Sequence, residues 1–155
     1  DLMKSGGYVA YKTPLTKFPV VQKLGKRKRH QVKTPIGHII IYKTLPELDK
    51  LRMVNGIAPN FVHSLDAALL ATTVMRLKEA GCHNFHMIHD SYGVPINQIG
   101  NLNRLVRQTF IDLFEEDPLG KFVEAVNPNY EVRPEDVMIG TLDLEDIRLS
   151  SYIFS

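Results

Sequence analysis

A chain of 155 residues, 44% of them hydrophobic and 23% charged, can bury one core and has the balance of a soluble globular protein. The single cysteine, Cys82, excludes an internal disulfide and a cysteine-based zinc site, and its expected role is small core packing. The net charge of +2 conceals a division: residues 1–52 hold 12 Lys+Arg against 3 Asp+Glu, whereas residues 53–155 hold 7 against 14. A basic part beside an acidic one is expected of a surface that meets polyanions next to one that does not, and equally of self-complementary packing. One domain over 1–155 is the expectation, with a basic, strand- and loop-rich segment at 1–52. The longest nearly apolar stretch, Ala67 to Met75, is well short of the roughly 20 residues that a spanning helix needs, so an intracellular protein with no membrane partner is expected.

In chain order, Gly6-Gly7, Pro14 and Pro19 exclude a long helix over the first 22 residues, leaving Tyr8-Val9-Ala10-Tyr11 and Phe18-Pro19-Val20 as two strands around a turn. The run from Lys23 to Lys33, centred on Lys26, Arg27, Lys28 and Arg29, has almost no apolar content, and its self-repulsion predicts a mobile loop or hairpin tip. Its functional reading is contact with nucleic-acid phosphates without base specificity. Gly37 to Tyr42 is short and rich in β-branched residues, hence a strand. Pro46 to Arg52 reads as the start of a short helix. Asn55-Gly56 then breaks the chain, and Ala58-Pro59 opens a central helix to about Ala80, with Gly81 as its stop. Phe61, Leu65, Ala68, Leu69, Thr72 and Met75 lie on one stripe, and Ala67, Leu70, Val74 and Leu77 on the other side, so burial nearly all round is expected. His63 and Asp66 share a face of its first turns, where a histidine satisfied by its neighbouring carboxylate is the plain reading.

Phe85 to Ile96 reads as two short strands joined by a tight turn, with Gly93 supplying turn chemistry. Asp90 is carried from apolar neighbours to an edge, and such a carboxylate must find a partner, water or a metal. A divalent cation held by oxygen ligands is the partner that phosphoryl transfer requires; the dipeptide His89-Asp90 reads equally as a turn-stabilising pair. Gln98 to Glu116 gives an amphipathic helix with Leu102, Leu105, Val106, Thr109, Phe110 and Leu113 inside, and Asn103, Arg104, Arg107, Gln108 and Asp112 in water. It is expected to pack across the sheet that carries the hairpin. Leu119 to Val126 forms a short helix, 127–134 a loop, and Leu142 to Ile147 a last helical turn. Tyr152 and Phe154 at the terminus are expected to dock.

His89-Asp90-Ser91-Tyr92-Gly93 resembles motif C of the single-subunit RNA polymerases of the bacteriophage and mitochondrial type. Asn55 to Ser64 resembles the helix entry upstream of that motif, and Thr13-Pro14 with Phe18-Pro19-Val20 and the aromatic tail add two further signals in the right order. The resemblance covers nearly the whole chain, and Gly93 is closer to the phage branch. It implies an α+β, palm-like piece of a right-hand polymerase, with a small antiparallel sheet carrying the motif C hairpin and two long helices packed on it. It implies a C-terminal part of an enzyme that adds nucleotides from NTPs to an RNA 3′ end on a DNA template. Asp90 would be one metal-holding carboxylate, with His89 beside it, and His63, Tyr152 and Phe154 near the RNA end. Two Mg²⁺ ions roughly 3.5 to 4 Å apart serve such chemistry, and the second carboxylate, of motif A, has no counterpart before Asp90 in a matching strand; motif B is missing too.

The chain by itself is therefore expected to be inactive, needing the remainder of the polymerase, and its cropped core surface is expected to self-associate. Its setting would be the cytoplasm of a bacterium or phage-infected cell, or alternatively a mitochondrion. Ser91 argues against a DNA polymerase palm, whose motif C has His-Asp followed by Glu, and a His/Asp hydrolase lacks a Ser or Cys nucleophile beside a base. A non-catalytic nucleic-acid-binding or interaction module derived from a polymerase palm is the alternative.

Overall fold

The computed structural model describes residues 8–130 and 140–152. Two strands, β1 (Val9–Lys12) and β2 (Pro19–Gln22), pair antiparallel as expected, with Val9 opposite Gln22. The turn between them is closed by Thr13, whose amide donates to the Phe18 carbonyl at 2.9 Å and whose hydroxyl accepts from the Phe18 amide at 2.9 Å. Alternation along β1 turns Val9 and Tyr11 inward. Tyr11 packs edge-on against Phe122 with ring centroids 5.0 Å apart, and its hydroxyl donates to Ser64 Oγ at 3.0 Å.

The basic run is not a loop. It forms β3 (Gly25–Thr34), paired antiparallel with β4 (Gly37–Leu48) from Arg27 opposite Thr44 to Thr34 opposite Gly37. Charge repulsion does not prevent this because an extended strand sends neighbouring cations to opposite faces, and Arg27 and Arg29 stand across from uncharged Thr44 and Tyr42; Lys28 alone of these faces a cation, Lys43. Gly37, at φ 137°, makes the connecting turn, where Thr34 Oγ1 donates to its carbonyl at 2.7 Å. The strand β4 also takes in Pro46 to Leu48, where a helix start was expected.

A 30-residue helix, α1 (Lys50–Glu79), follows. It begins eight residues before the expected Ala58-Pro59 entry and passes through Asn55-Gly56 and Pro59 without a break. Asp49 caps it, accepting from the Arg52 amide at 3.1 Å. Leu24 and Gln22 pack against this helix at Gly56, and Gln22 ties that stretch down by donating to the Met53 carbonyl at 2.7 Å and accepting from Asn60 at 2.7 Å. Pro59 forfeits one helix hydrogen bond, which these tertiary contacts offset. All-round burial is not found: Met53, Ser64, Ala68, Thr73 and Leu77 are buried, whereas Leu51, Val54, Val62 and Met75 are more than half exposed. Among the described residues, α1 is packed by β1, β2 and α3 along its first half and by α2 along its second.

Two short strands, β5 (His86–Ile88) and β6 (Ser91–Gly93), make the third antiparallel pair, and α2 (Ile99–Glu115) follows. The described residues thus hold three separate two-stranded sheets, and α2 packs on α1 rather than across a sheet. Leu77, Cys82 and Leu105 are the buried centre of that contact, joined by Phe85, Val94 and Leu102, so Cys82 does pack in a core. The predicted apolar stripe of α2 is at least partly buried throughout, but the buried face is wider than read: Ile111, outside that stripe, is fully buried, and Arg107, placed on the wet face, is buried too, its fork reaching the carbonyls of Ile147 and Ser150. Pro118–Val126 forms α3, capped by Asp117, which accepts from the Gly120 amide at 3.0 Å. The expected last helical turn lies slightly later, as α4 (Asp146–Leu149). No helix among the described residues is long and apolar enough to cross a membrane.

The α2–α3 junction is tied to the β1–β2 turn by Glu116, which accepts from Lys17 at 2.6 Å and Lys121 at 2.8 Å. The Lys121 and Lys17 hydrogen bonds hold its carboxyl at about 2, against an ordinary 4.5. A depressed carboxylate stabilises the fold fully above its unfolded value and loses that contribution as pH falls through the folded one. Glu116→Gln is expected to lower stability near neutral pH by about 1 kcal/mol, the gain being small because both lysines are half exposed. It should also flatten the decline of Tm between about pH 4.5 and 2 relative to the parent, as followed by circular dichroism.

Candidate active-site groove

The hairpin β5–β6 is built to present its tip. Ile88 pairs with Ser91, which leaves His89 and Asp90 as the two turn residues, and His89 takes the left-handed conformation at φ 53°. Gly93 is not in the turn, contrary to the sequence reading. It ends β6 opposite His86, where a Cβ would lie 2.7 Å from the His86 carbonyl oxygen, so the lack of a side chain is what lets the strands close. At the base, Phe85 and Val94 enter the core beside Leu77 and Leu105.

A groove of about 1200 Å³ opens beside this tip. The hairpin contributes His89, Asp90, Ser91 and Tyr92; α1 contributes His63 and Asp66 with Leu69 and Leu70; α2 contributes Ile99, Leu102, Asn103 and Val106. The structure therefore brings together three residues singled out from sequence, His63, His89 and Asp90, from two distant parts of the chain. All three are exposed, as is Asp66, and none of the four makes a hydrogen bond or ion pair among the described residues. His63 is accordingly neither a core histidine nor one satisfied by Asp66. Tyr92 behaves differently: burial raises the pKa of its hydroxyl, the facing Thr73 hydroxyl opposes that, and the Asp66 carboxylate adds to it. Thr73 Oγ1 is itself fully buried without a hydrogen bond of regular geometry.

Hard carboxylate oxygens are the donors that Mg²⁺ takes. Asp90 and Asp66 both line the groove, yet among the described residues no three acidic, histidine or cysteine side chains gather closely enough to hold an ion. The donor set fits Mg²⁺ in kind and is incomplete in number. Lys26, Arg27, Lys28 and Arg29 do not line the groove; they stand on the β3–β4 ribbon, where Lys26 pairs with Glu47. Tyr152 is 82% exposed and undocked, and Phe154 lies outside the described residues. Tyr92 and Asn103 were not anticipated; the available signals were the position of Tyr92 two residues beyond Asp90 and that of Asn103 beside the apolar stripe of α2.

Small antiparallel sheets packed with helices, and a carboxylate brought to a groove by a hairpin, are compatible with a piece of a polymerase. The family model for DNA-dependent RNA polymerase matches residues 2–140. The chain is 33% identical over 149 residues to DNA-directed RNA polymerase 2B, chloroplastic/mitochondrial, of Nicotiana tabacum, covering 95% of this chain and 14% of that protein. It is 30% identical over 150 residues to DNA-directed RNA polymerase 1A of the same plant, covering 95% of each, and 30% identical over 149 residues to the mitochondrial DNA-directed RNA polymerase 1 of Arabidopsis thaliana, covering 95% of this chain and 15% of that one. The chain belongs to the DNA-dependent RNA polymerase family, in the single-subunit group that its sequence resembles. It spans about one seventh of the length of several of these relatives.

Proposed function

We propose that the chain is the C-terminal, palm-containing part of a single-subunit RNA polymerase that adds nucleotides from NTPs to an RNA 3′ end on a DNA template. The observation that carries this reading is Asp90: an exposed carboxylate without a partner among the described residues, at the tip of a hairpin, in one groove with His63 of α1. When bound, Mg²⁺ activates the attacking hydroxyl and stabilises the leaving pyrophosphate. Asp90 would hold it together with a carboxylate from outside this chain. His89, fixed beside Asp90 by the turn, orients the tip, and His63, which lines the same groove from α1, is assigned to the RNA end. Tyr152 and Phe154 are assigned to the same end. The organellar names of the relatives support a mitochondrial or plastid setting, and nothing among them supports a bacterial or phage-infected cytoplasm.

Without the missing carboxylate the chain alone makes no RNA. Primer extension on a DNA template with Mg²⁺ and ribonucleotides is expected to be silent for the chain alone and active when the upstream polymerase part is supplied. Synthesis by the chain alone would overturn the reading. The exposed apolar residues of α1, Leu51, Val54, Val62 and Met75, are the surface we assign to that upstream part, and to self-association in its absence.

The ribbon favours a second role, nucleic-acid binding, because it is exposed on both faces and carries cations on each. Arg27 and Arg29 share a face with Gln31, Tyr42 and Thr44, while Lys28 shares the other with His30, Ile41 and Lys43. Changing Arg27 and Arg29 together to alanine is expected to weaken duplex binding and reduce the slope of log K against log salt by about 2. Fluorescence anisotropy between roughly 50 and 200 mM salt reads this. Strong DNA binding of this kind combined with silence in the complemented assay would favour the non-catalytic module.

A further inference from the structure

Arg107 is buried to all but 7% and is the buried charged residue among those described. A guanidinium out of water must have its donors satisfied, and here they are satisfied by a segment 40 residues away. Nε donates to the Ile147 carbonyl at 3.0 Å and Nη2 to the Ser150 carbonyl at 2.7 Å, both at the end of α4, where backbone carbonyls lack helical partners. Nη1 donates to Asn103 Oδ1, and Asn103 lines the groove that holds Asp90. A second line of contacts runs parallel: Arg148 of α4 donates to Gln108, Gln108 to Asp112 at 2.5 Å, and Asp112 pairs with Arg76 of α1 at 2.6 Å. One planar fork thus joins the C-terminal segment to a side chain of the groove wall, which a lysine, with a single point of charge, could not do.

We infer that Arg107 is a positioning residue that clasps residues 140–152 to α2 and, through Asn103, fixes the groove wall for nucleotide addition, a role that rests on the polymerase reading above. The two halves depend on each other: without the segment the guanidinium keeps only Asn103 of these three partners, and without the guanidinium the segment loses its central tie.

The test uses the complemented enzyme with four versions of this chain: parent, Arg107→Met, a truncation lacking residues 141–155, and both changes together. Arg107→Met is expected to lower kcat about tenfold while the KM for nucleotide changes less than about threefold, because positioning rather than ground-state binding is lost. The truncation, which also removes Tyr152 and Phe154, should cost at least as much, and adding Arg107→Met to it should cost little more, since Arg107 acts only through that segment. In the chain alone, Arg107→Met should speed amide exchange over 140–152. A kcat within about twofold of the parent with that segment freed, or losses that multiply in the combination, would overturn the clasp. Should Arg107→Met fail to fold by circular dichroism, Arg107→Lys, which keeps the charge without the fork, carries the same kcat criterion. Asp90-dependent synthesis that ignores Arg107 sinks the role alone, whereas a silent parent complex sinks the reading and the role together.

Discussion

Asp90→Asn is expected to reduce RNA synthesis by the complemented enzyme by roughly a hundredfold or more, since it removes the negative charge of a proposed metal ligand, and loss of outer partners of such ligands already costs about 10–100-fold. The change is nearly isosteric, and Asp90 makes no hydrogen bond or ion pair within the described chain. Stability should therefore move by no more than about 0.5 kcal/mol, as for an exposed position without partners. That pairing of a large kinetic effect with a flat melting curve separates chemistry from folding. Titrating Mg²⁺ adds a second reading, because a weakened ligand set needs more ion for the same rate. Synthesis within about threefold of the parent at limiting Mg²⁺ would remove Asp90 from the metal site.

How much of this was legible depended on whether the deciding interaction was local. The strand pair around Thr13, the interior stripe of α2 and the hairpin at 86–93 follow from alternation, periodicity and turn residues, and the structure has them. Local reasoning failed where tertiary contacts overrode propensity. Asn55-Gly56 and Pro59 read as a break, but Gln22 and Leu24 pack on that stretch and hold it helical. The basic run read as a mobile loop because self-repulsion was weighed without its partner, the isoleucine-rich β4. Arg107 read as solvated because the carbonyls that accept its hydrogen bonds lie about 40 residues on. For the groove, His63, His89 and Asp90 were named from sequence through a resemblance to a family. What spacing could not supply was their meeting, which depends on α1 and α2 packing through Leu77 and Leu105.

The second large effect is expected at Gly93. An alanine Cβ there would sit 2.7 Å from the His86 carbonyl oxygen and 3.0 Å from its Cβ, and the nearest of these atoms is backbone, which cannot swing away as a side-chain end would. His86 is also the residue paired with Gly93 across the ladder, so relief requires the two strands to separate. Overpacking of this kind costs about 2 kcal/mol, which corresponds to a fall of roughly 30-fold in amide protection through the hairpin. Because each strand is three residues long and the anchors Phe85 and Val94 lie at its base, the opening should stay local: amides of 86–93 exchange faster, while those of α1 near Leu77 hardly change. The tip carries Asp90, so the same substitution should lower synthesis by the complemented enzyme about tenfold even though no groove side chain is altered. Unchanged protection of the hairpin in Gly93→Ala would mean that the close approach of Gly93 to His86 is not what sets the position of Asp90.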